Sequence, residues 1–143
     1  MLINKENITS IIPQRVPFVM IDSLLSADEA GFKTEFQIAS DNLFLENQVL
    51  SESALIENIA QTCAAGFGYL NSLEEGGEPK LGFIGAVTQV LVEDAAKENE
   101  RIETSVRILS TFDSIHLVEG TAMSNGKVLL TCQMKIVLAV RPK

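Results

Sequence analysis

The sequence contains few of the residues from which metal sites, disulfides and histidine-based catalysis are built. Among its 143 residues are two cysteines, one histidine and no tryptophan. Cys63 and Cys132 lie within apolar stretches, and neither belongs to a CxxC or a Cys/His pattern. Metal sites and disulfide frameworks depend on such spacings. We therefore expect no metal and no cofactor, and we predict that both thiols are free and buried.

Basic residues are also scarce. The chain has 11 lysines and arginines against 19 acidic residues, a formal net charge of −8. On average such a chain repels a nucleic-acid backbone and an anionic membrane. We therefore expect neither nucleic acid nor a membrane as a partner.

Long hydrophobic runs are absent as well. A membrane-spanning helix needs about 18 or more apolar residues in a row, and a signal peptide places an apolar run behind a basic start. The opening residues, MLINKENITSIIPQR, show neither pattern, and the chain has no repeat, low-complexity tract or long linker. The sequence predicts a single domain over residues 1–143 with one hydrophobic core, located in the cytoplasm.

One long helical pattern stands between two strand-rich regions. It runs from Ser51 to about Ser72, SESALIENIAQTCAAGFGYLNS. Ser51 is a suitable N-cap, Glu52 is favourable in the first turn, and EEGGEP is a stop signal. A helix of this length extends about 30 Å.

The other apolar segments show strand patterns. Before the helix, PFVMIDSLLS (17–26) and FKTEFQIA (32–39) flank an acidic turn and are expected to pair as a hairpin. After the helix come LGFIGAVTQVLV, RIETSVRIL, SIHLVEGTAMS and KVLLTCQMKIVLAV, with Asn125–Gly126 favouring a tight turn before the last. This order predicts an α+β chain in which one central helix packs on a curved antiparallel sheet of about five to six strands, the hotdog fold.

Two segments resemble the 3-hydroxyacyl-acyl-carrier-protein dehydratases of fatty acid synthesis. IIPQRVPFVMID and LIENIAQTCAAG are similar to the family's LPHRxPFLLVD and E-x-M-A-Q, and the later GFIGAV and EGTAMSNGKVLLTCQMKI are similar to its following strands. The stretch LFLENQVLSES resembles a divergent branch associated with aryl polyene pigment clusters. The resemblance implies a hotdog fold, an acyl thioester or acyl-carrier protein as partner, and active sites between the subunits of a dimer.

The chain departs from this family where the family carries its histidines. Standard members have a GHFPG loop before the helix, followed by a PG turn, whereas this region reads NLFLENQVLSES. Gln14 replaces the histidine of the family's PHR segment, and the only histidine, His116, matches no catalytic position. We therefore expect dehydration by the chain alone to be weak or absent.

Glu57 is the candidate acid or base of the site. At helical spacing it lies in a stripe of small side chains that another backbone or an acyl chain can approach closely, namely Ala54, Ala60, Ala64 and Gly68. Two interpretations stay open. Glu57 faces a ligand, or it lies at a solvent-exposed rim while the small residues let the helix pack tightly on the sheet.

Two glutamines complete the candidate site. Gln14 does not titrate, so it can only orient a hydroxyl. Gln61, one turn after Glu57, is expected to support it through a hydrogen bond. His116 is expected on an exposed or interface face of the sheet, which a single helix leaves uncovered.

Three functions stay open at this point. Dehydration needs a base for the α-proton, an acid for the 3-hydroxyl and donors for the thioester oxygen, and Glu57 supplies only one of these groups. The chain is therefore a dehydratase-like protein acting on or binding acyl thioesters, a hotdog thioesterase in which Glu57 activates water, or a non-catalytic subunit of a dehydratase heterodimer.

A homodimer or higher homo-oligomer through the sheet is also expected. The last strand carries apolar residues at successive positions, such as Leu129 and Leu130, and so shows two apolar faces. One helix covers only one of them, and an uncovered apolar face calls for a partner.

Overall fold

One α-helix, α1 (Glu52–Ser72), packs on a six-stranded antiparallel sheet in the computed structural model, which describes residues 1–74 and 80–140. The sheet is formed by β1 (Ser23–Ala27), β2 (Gly31–Gln37), β5 (Lys80–Val92), β6 (Arg101–Phe112), β7 (Ile115–Ser124) and β8 (Lys127–Val140). Their spatial order is β1-β2-β6-β7-β8-β5. A separate hairpin pairs β3 (Leu45–Glu46) with β4 (Val49–Leu50), and a 3₁₀ turn covers Ile8–Ser10. The predicted α+β architecture with a helix on a six-stranded sheet is confirmed.

The helix begins where its sequence signals predict. The Ser51 side chain accepts a hydrogen bond from the Ala54 N–H at 3.3 Å, and Glu52 occupies the first turn. Both features stabilise a helix N-terminus. The helix ends at Ser72, while most of the predicted stop signal, residues 75–79, lies outside the described residues. Within the described ranges no helix is long and apolar enough to cross a membrane.

The first hairpin is shorter than predicted. β1 begins at Ser23 rather than at residue 17, and pairs with β2 from Ser23 opposite Glu35 to Ala27 opposite Phe32. The preceding residues, 17–22, run beside the helix, which supplies side-chain partners for their backbone groups. These partners replace the neighbouring strand that a buried backbone otherwise needs.

Glycine lets the helix approach the sheet closely. A Cβ on Gly66 would lie 2.1 Å from Cγ of Phe32, and one on Gly120 would lie 2.3 Å from Cγ2 of Ile59. Gly68 faces the opposite side, where a Cβ would lie 2.6 Å from the Ile11 carbonyl oxygen. The small residues of α1 therefore serve two contacts, one with the sheet and one with the N-terminal segment.

The uncovered apolar surface is not on β8. Leu129, Leu130 and Met134 are all fully buried inside the chain, whereas residues that alternate with them on the outer face, such as Gln133 and Lys135, are polar. The sequence argument that gave β8 two exposed apolar faces was wrong, because both leucines beside the irregular pairing of β7 and β8 turn into the core.

Exposed apolar side chains lie instead on the edge strand β5 and at the turn between β6 and β7. Phe83 is 52% exposed, Leu91 60% and Phe112 82%. In the described part of the chain β5 pairs with β8 on one side only. An unpaired edge that carries apolar side chains is a surface on which another chain can pair.

Candidate functional site

A cavity of about 660 Å³ runs along one side of α1. It lies between the helix, residues 9–15 and strands β5 to β8. Its middle is mainly apolar and is lined by Ile11, Cys63, Ala64, Phe67, Ile108 and Ile136. Such a wall accommodates a hydrocarbon chain.

The carboxylate of Glu57 lines this cavity and is held by Gln61. The Gln61 Nε2 donates to Glu57 Oε1 at 2.9 Å and to the Phe18 carbonyl at 2.8 Å. Its Oε1 accepts from the Met20 N–H at 2.7 Å, and the side chain is fully buried. Gln61 thus fixes the carboxylate and the N-terminal segment at the same time. The acid–base role of Glu57 and the supporting role of Gln61 stay predictions.

Gln14 lines the same cavity from the N-terminal segment. The neighbouring Arg15 stabilises the backbone around Gln14, since its Nη1 donates to the carbonyls of Ile12 and Gln14 at 2.8 Å each. The Oε1 atom of Gln14 is buried and accepts no hydrogen bond from the described part of the chain. This acceptor can serve a ligand hydroxyl, and the role of Gln14 stays a prediction.

His116 is half-buried on the helix side of β7, so the expectation that it lies on the face that the helix leaves uncovered was wrong. It shares this face with Val118 and Gly120, which are buried under the helix. Its ring lies 4.7 Å from the ring of Phe67, and its Nδ1 shares a hydrogen bond with Thr111 Oγ1 at 2.9 Å. Phe67 follows Glu57 by ten residues, or about 15 Å along a helix. His116 therefore lines the far part of the cavity and does not reach Glu57 of its own chain.

The segment that takes the place of the family's histidine loop folds as a tight hairpin. Asn47 and Gln48 connect β3 to β4 with φ angles of 52° and 67°. Two consecutive positive φ angles are typical of a two-residue hairpin turn. Residues 41–52 contain no histidine, so this loop brings no imidazole to the site.

Cys63 also lines the cavity, but its thiol is not an active nucleophile. Burial, and secondarily the neighbouring Cys132, raise the pKa of Cys63 to about 12. The reactive form of cysteine is the thiolate, which is therefore scarce at neutral pH. Both cysteines are free and buried, which confirms the prediction made for them.

Asn58 was missed by the sequence reasoning. It is fully buried, its Nδ2 donates to the Met20 carbonyl at 2.8 Å, and its Oδ1 accepts from Thr104 Oγ1 at 2.5 Å. Together with Gln61 it ties Phe18 and Met20 to the helix. An asparagine inside an apolar helical stretch is the available signal, because asparagine disfavours a helix interior unless its side chain finds a partner.

Gln61→Met is expected to lower the free energy of unfolding by about 1–3 kcal/mol, because the buried Met20 N–H and the part-buried Phe18 carbonyl lose their partner. Equilibrium urea unfolding measures this loss. Gln37→Met is the matched control, since the Gln37 side chain also bonds a backbone carbonyl, that of Asn99, but is exposed. Equal losses in the two variants would contradict the anchoring role of Gln61.

Comparison with known proteins places this chain in a family. The model of the ApeP-like family, described as ApeP dehydratase, matches residues 6–141. The 3-hydroxyacyl-[acyl-carrier-protein] dehydratase FabZ of Oceanobacillus iheyensis is 27% identical, over 98% of this chain and 100% of that protein.

Solved structures show the same fold. The dehydratase heterocomplex ApeI:P of Xenorhabdus doucetiae has a TM-score of 0.81 at 18% identity, over 95% of this chain and 91% of that chain. A hypothetical thioesterase of Streptococcus pneumoniae TIGR4 with coenzyme A has a TM-score of 0.68 at 6% identity, over 85% of this chain and 90% of that one. These likenesses concern the fold alone. The match over residues 6–141 shows that the chain belongs to the ApeP-like dehydratase family, a FabZ-like hotdog family.

Proposed function

We propose that the chain binds 3-hydroxyacyl thioesters of acyl-carrier protein in the cavity beside α1, with Glu57 next to the reacting carbons. The observation that carries this proposal is a carboxylate fixed by Gln61 at the wall of an apolar cavity of about 660 Å³. The name of the FabZ relative, a 3-hydroxyacyl-[acyl-carrier-protein] dehydratase, supports the substrate class. The cytoplasmic location stays a prediction.

The chemistry requires more groups than this chain brings to Glu57. Dehydration breaks the C2–H and C3–O bonds, forms a C2=C3 double bond and releases water. A base removes the C2 proton, an acid protonates the leaving hydroxyl, and donors stabilise charge on the thioester oxygen. Glu57 supplies one acid–base group, and Gln14 offers its Oε1 to the 3-hydroxyl. We infer that dehydration by the chain alone is weak.

The purified chain is expected to convert a short 3-hydroxyacyl thioester about 100- to 10,000-fold more slowly than a histidine-bearing FabZ, because one acid–base group contributes a factor of that order. Absorbance of the enoyl thioester measures dehydration, and calorimetry with a non-hydrolysable thioether measures binding. Residual turnover should disappear in Glu57→Gln and persist in Glu52→Gln, which changes an exposed carboxylate of the same helix.

Other results of this assay would contradict the proposal. Turnover equal to that of the FabZ would show that the catalytic groups of this chain suffice without a partner. Release of free thiol without loss of the 3-hydroxyl would indicate a thioesterase, the activity named for one of the similar folds. No binding of the thioether would contradict the substrate class.

A second candidate function is that of one subunit in a dehydratase heterodimer. The similar fold of ApeI:P comes from a complex of two different chains. Here the unpaired edge of β5, with its exposed Phe83 and Leu91, offers a surface for pairing. We propose that a dimer forms at this edge, either with a second copy or with a histidine-bearing relative.

A further inference from the structure

The part of the cavity farthest from Glu57 along the helix carries its own polar side chains. Asn71, Glu74, Thr111 and His116 line it. His116 is held by Thr111 at 2.9 Å and lies against the Phe67 ring. Asn71 follows Glu57 by 14 residues on α1, or about 21 Å along the helix axis. The cavity therefore has polar groups near Glu57, a mainly apolar middle and a second polar end.

The Asn71 side chain has an unused hydrogen-bonding group. Its Oδ1 is buried and accepts no hydrogen bond from residues 1–74 or 80–140. A buried acceptor without a partner is unfavourable, so a ligand that donates to it gains affinity. Asn71 lines the cavity, and the terminal torsion of asparagine is broad, so a ligand donor requires only that the amide rotates until Oδ1 faces the cavity.

We propose that Asn71 is a specificity-determining residue, which accepts a hydrogen bond from a hydroxyl at the far end of an acyl chain whose thioester lies at Glu57. This inference rests on the proposed function. A ligand reaching from Glu57 to Asn71 passes the wall formed by Cys63, Ala64 and Phe67, which suits hydrocarbon. A zigzag chain advances about 1.3 Å per bond, so the distance corresponds to roughly 16 bonds.

Titration calorimetry with two thioethers of pantetheine tests this inference. Their alkyl chains have the same length, and one ends in a hydroxyl group and the other in a methyl group. The chain is expected to bind the hydroxyl-ended probe about tenfold more tightly, since a hydrogen bond contributes about 1.4 kcal/mol. Asn71→Leu should abolish this preference, and Asn71→Asp, which keeps an acceptor, should retain it. Ser72→Ala, a change at the exposed neighbouring residue, should leave it unchanged.

The outcomes separate this inference from the proposed function. If the two probes bind equally, and a short 3-hydroxyacyl thioester displaces both, the specificity of Asn71 is overturned and the proposed function stands. A preference that survives in Asn71→Leu overturns the role of this residue. If neither probe binds, the proposed function fails together with the inference.

Discussion

Adding a histidine-bearing relative to this chain is expected to raise dehydration about 100- to 10,000-fold above the rate of the chain alone, because a second positioned acid–base group contributes a factor of this order. Glu57 is already fixed by Gln61 at 2.9 Å on the wall of the cavity. The missing group is an imidazole, since the chain's own His116 packs on Phe67, far along the helix. An imidazole at the Glu57 site must therefore come from another chain.

The experiment compares the mixture with each protein alone at the same concentration. Replacing the partner's histidine by alanine should remove the gain. Glu57→Gln in this chain should remove it as well, while the exposed Glu52→Gln should not. Size-exclusion chromatography of each mixture shows whether the two chains still associate, which separates a lost group from a lost complex.

Two results would contradict a site that combines Glu57 of this chain with a histidine of its partner. A mixture whose rate equals the sum of the separate rates would show that the chains do not complete each other. A gain that survives Glu57→Gln would show that this chain stabilises its partner without supplying a catalytic group. The second result would identify a non-catalytic subunit.

The parts of the fold that local signals determine could be predicted from the sequence. Ser51, Glu52 and the helical spacing after them give the start of α1 correctly. The hydrogen bond between Glu57 and Gln61 links residues one turn apart, and such pairs follow from helix geometry alone.

The predictions that failed concern contacts between residues that are far apart in the sequence. Residues 17–22 have the composition of a strand, but Met20 finds its partners 38 and 41 positions later, on Asn58 and Gln61. Alternation correctly groups His116 with Gly120, but it does not say which face the helix covers. Gly120 is the signal for the covered face, because a glycine inside a strand often marks a place where another element approaches closely. Here Ile59 of the helix lies against it.

Asn58→Leu is expected to lower the free energy of unfolding by about 2–5 kcal/mol, since two buried hydrogen bonds are lost and both of their partners remain inside. Leucine has a similar shape, so packing changes little. The Met20 carbonyl and the Thr104 hydroxyl lose the groups that lie 2.8 Å and 2.5 Å from them. Urea unfolding measures the loss, and an unchanged midpoint would contradict the anchoring role of Asn58.

A double-mutant cycle with Thr104→Val separates the hydrogen bond from the packing. Thr104→Val alone leaves the Asn58 Oδ1 unpaired, whereas the double variant has neither an orphaned hydroxyl nor an orphaned amide oxygen. The two losses should therefore sum to more than the loss of the double variant, with a coupling energy of about 1 kcal/mol. Thr88→Val, on the exposed strand β5, should show no coupling with Asn58→Leu. Because Asn58 also holds Met20 beside Gln61, additive losses at Thr104 would assign the whole effect to the contact with Met20.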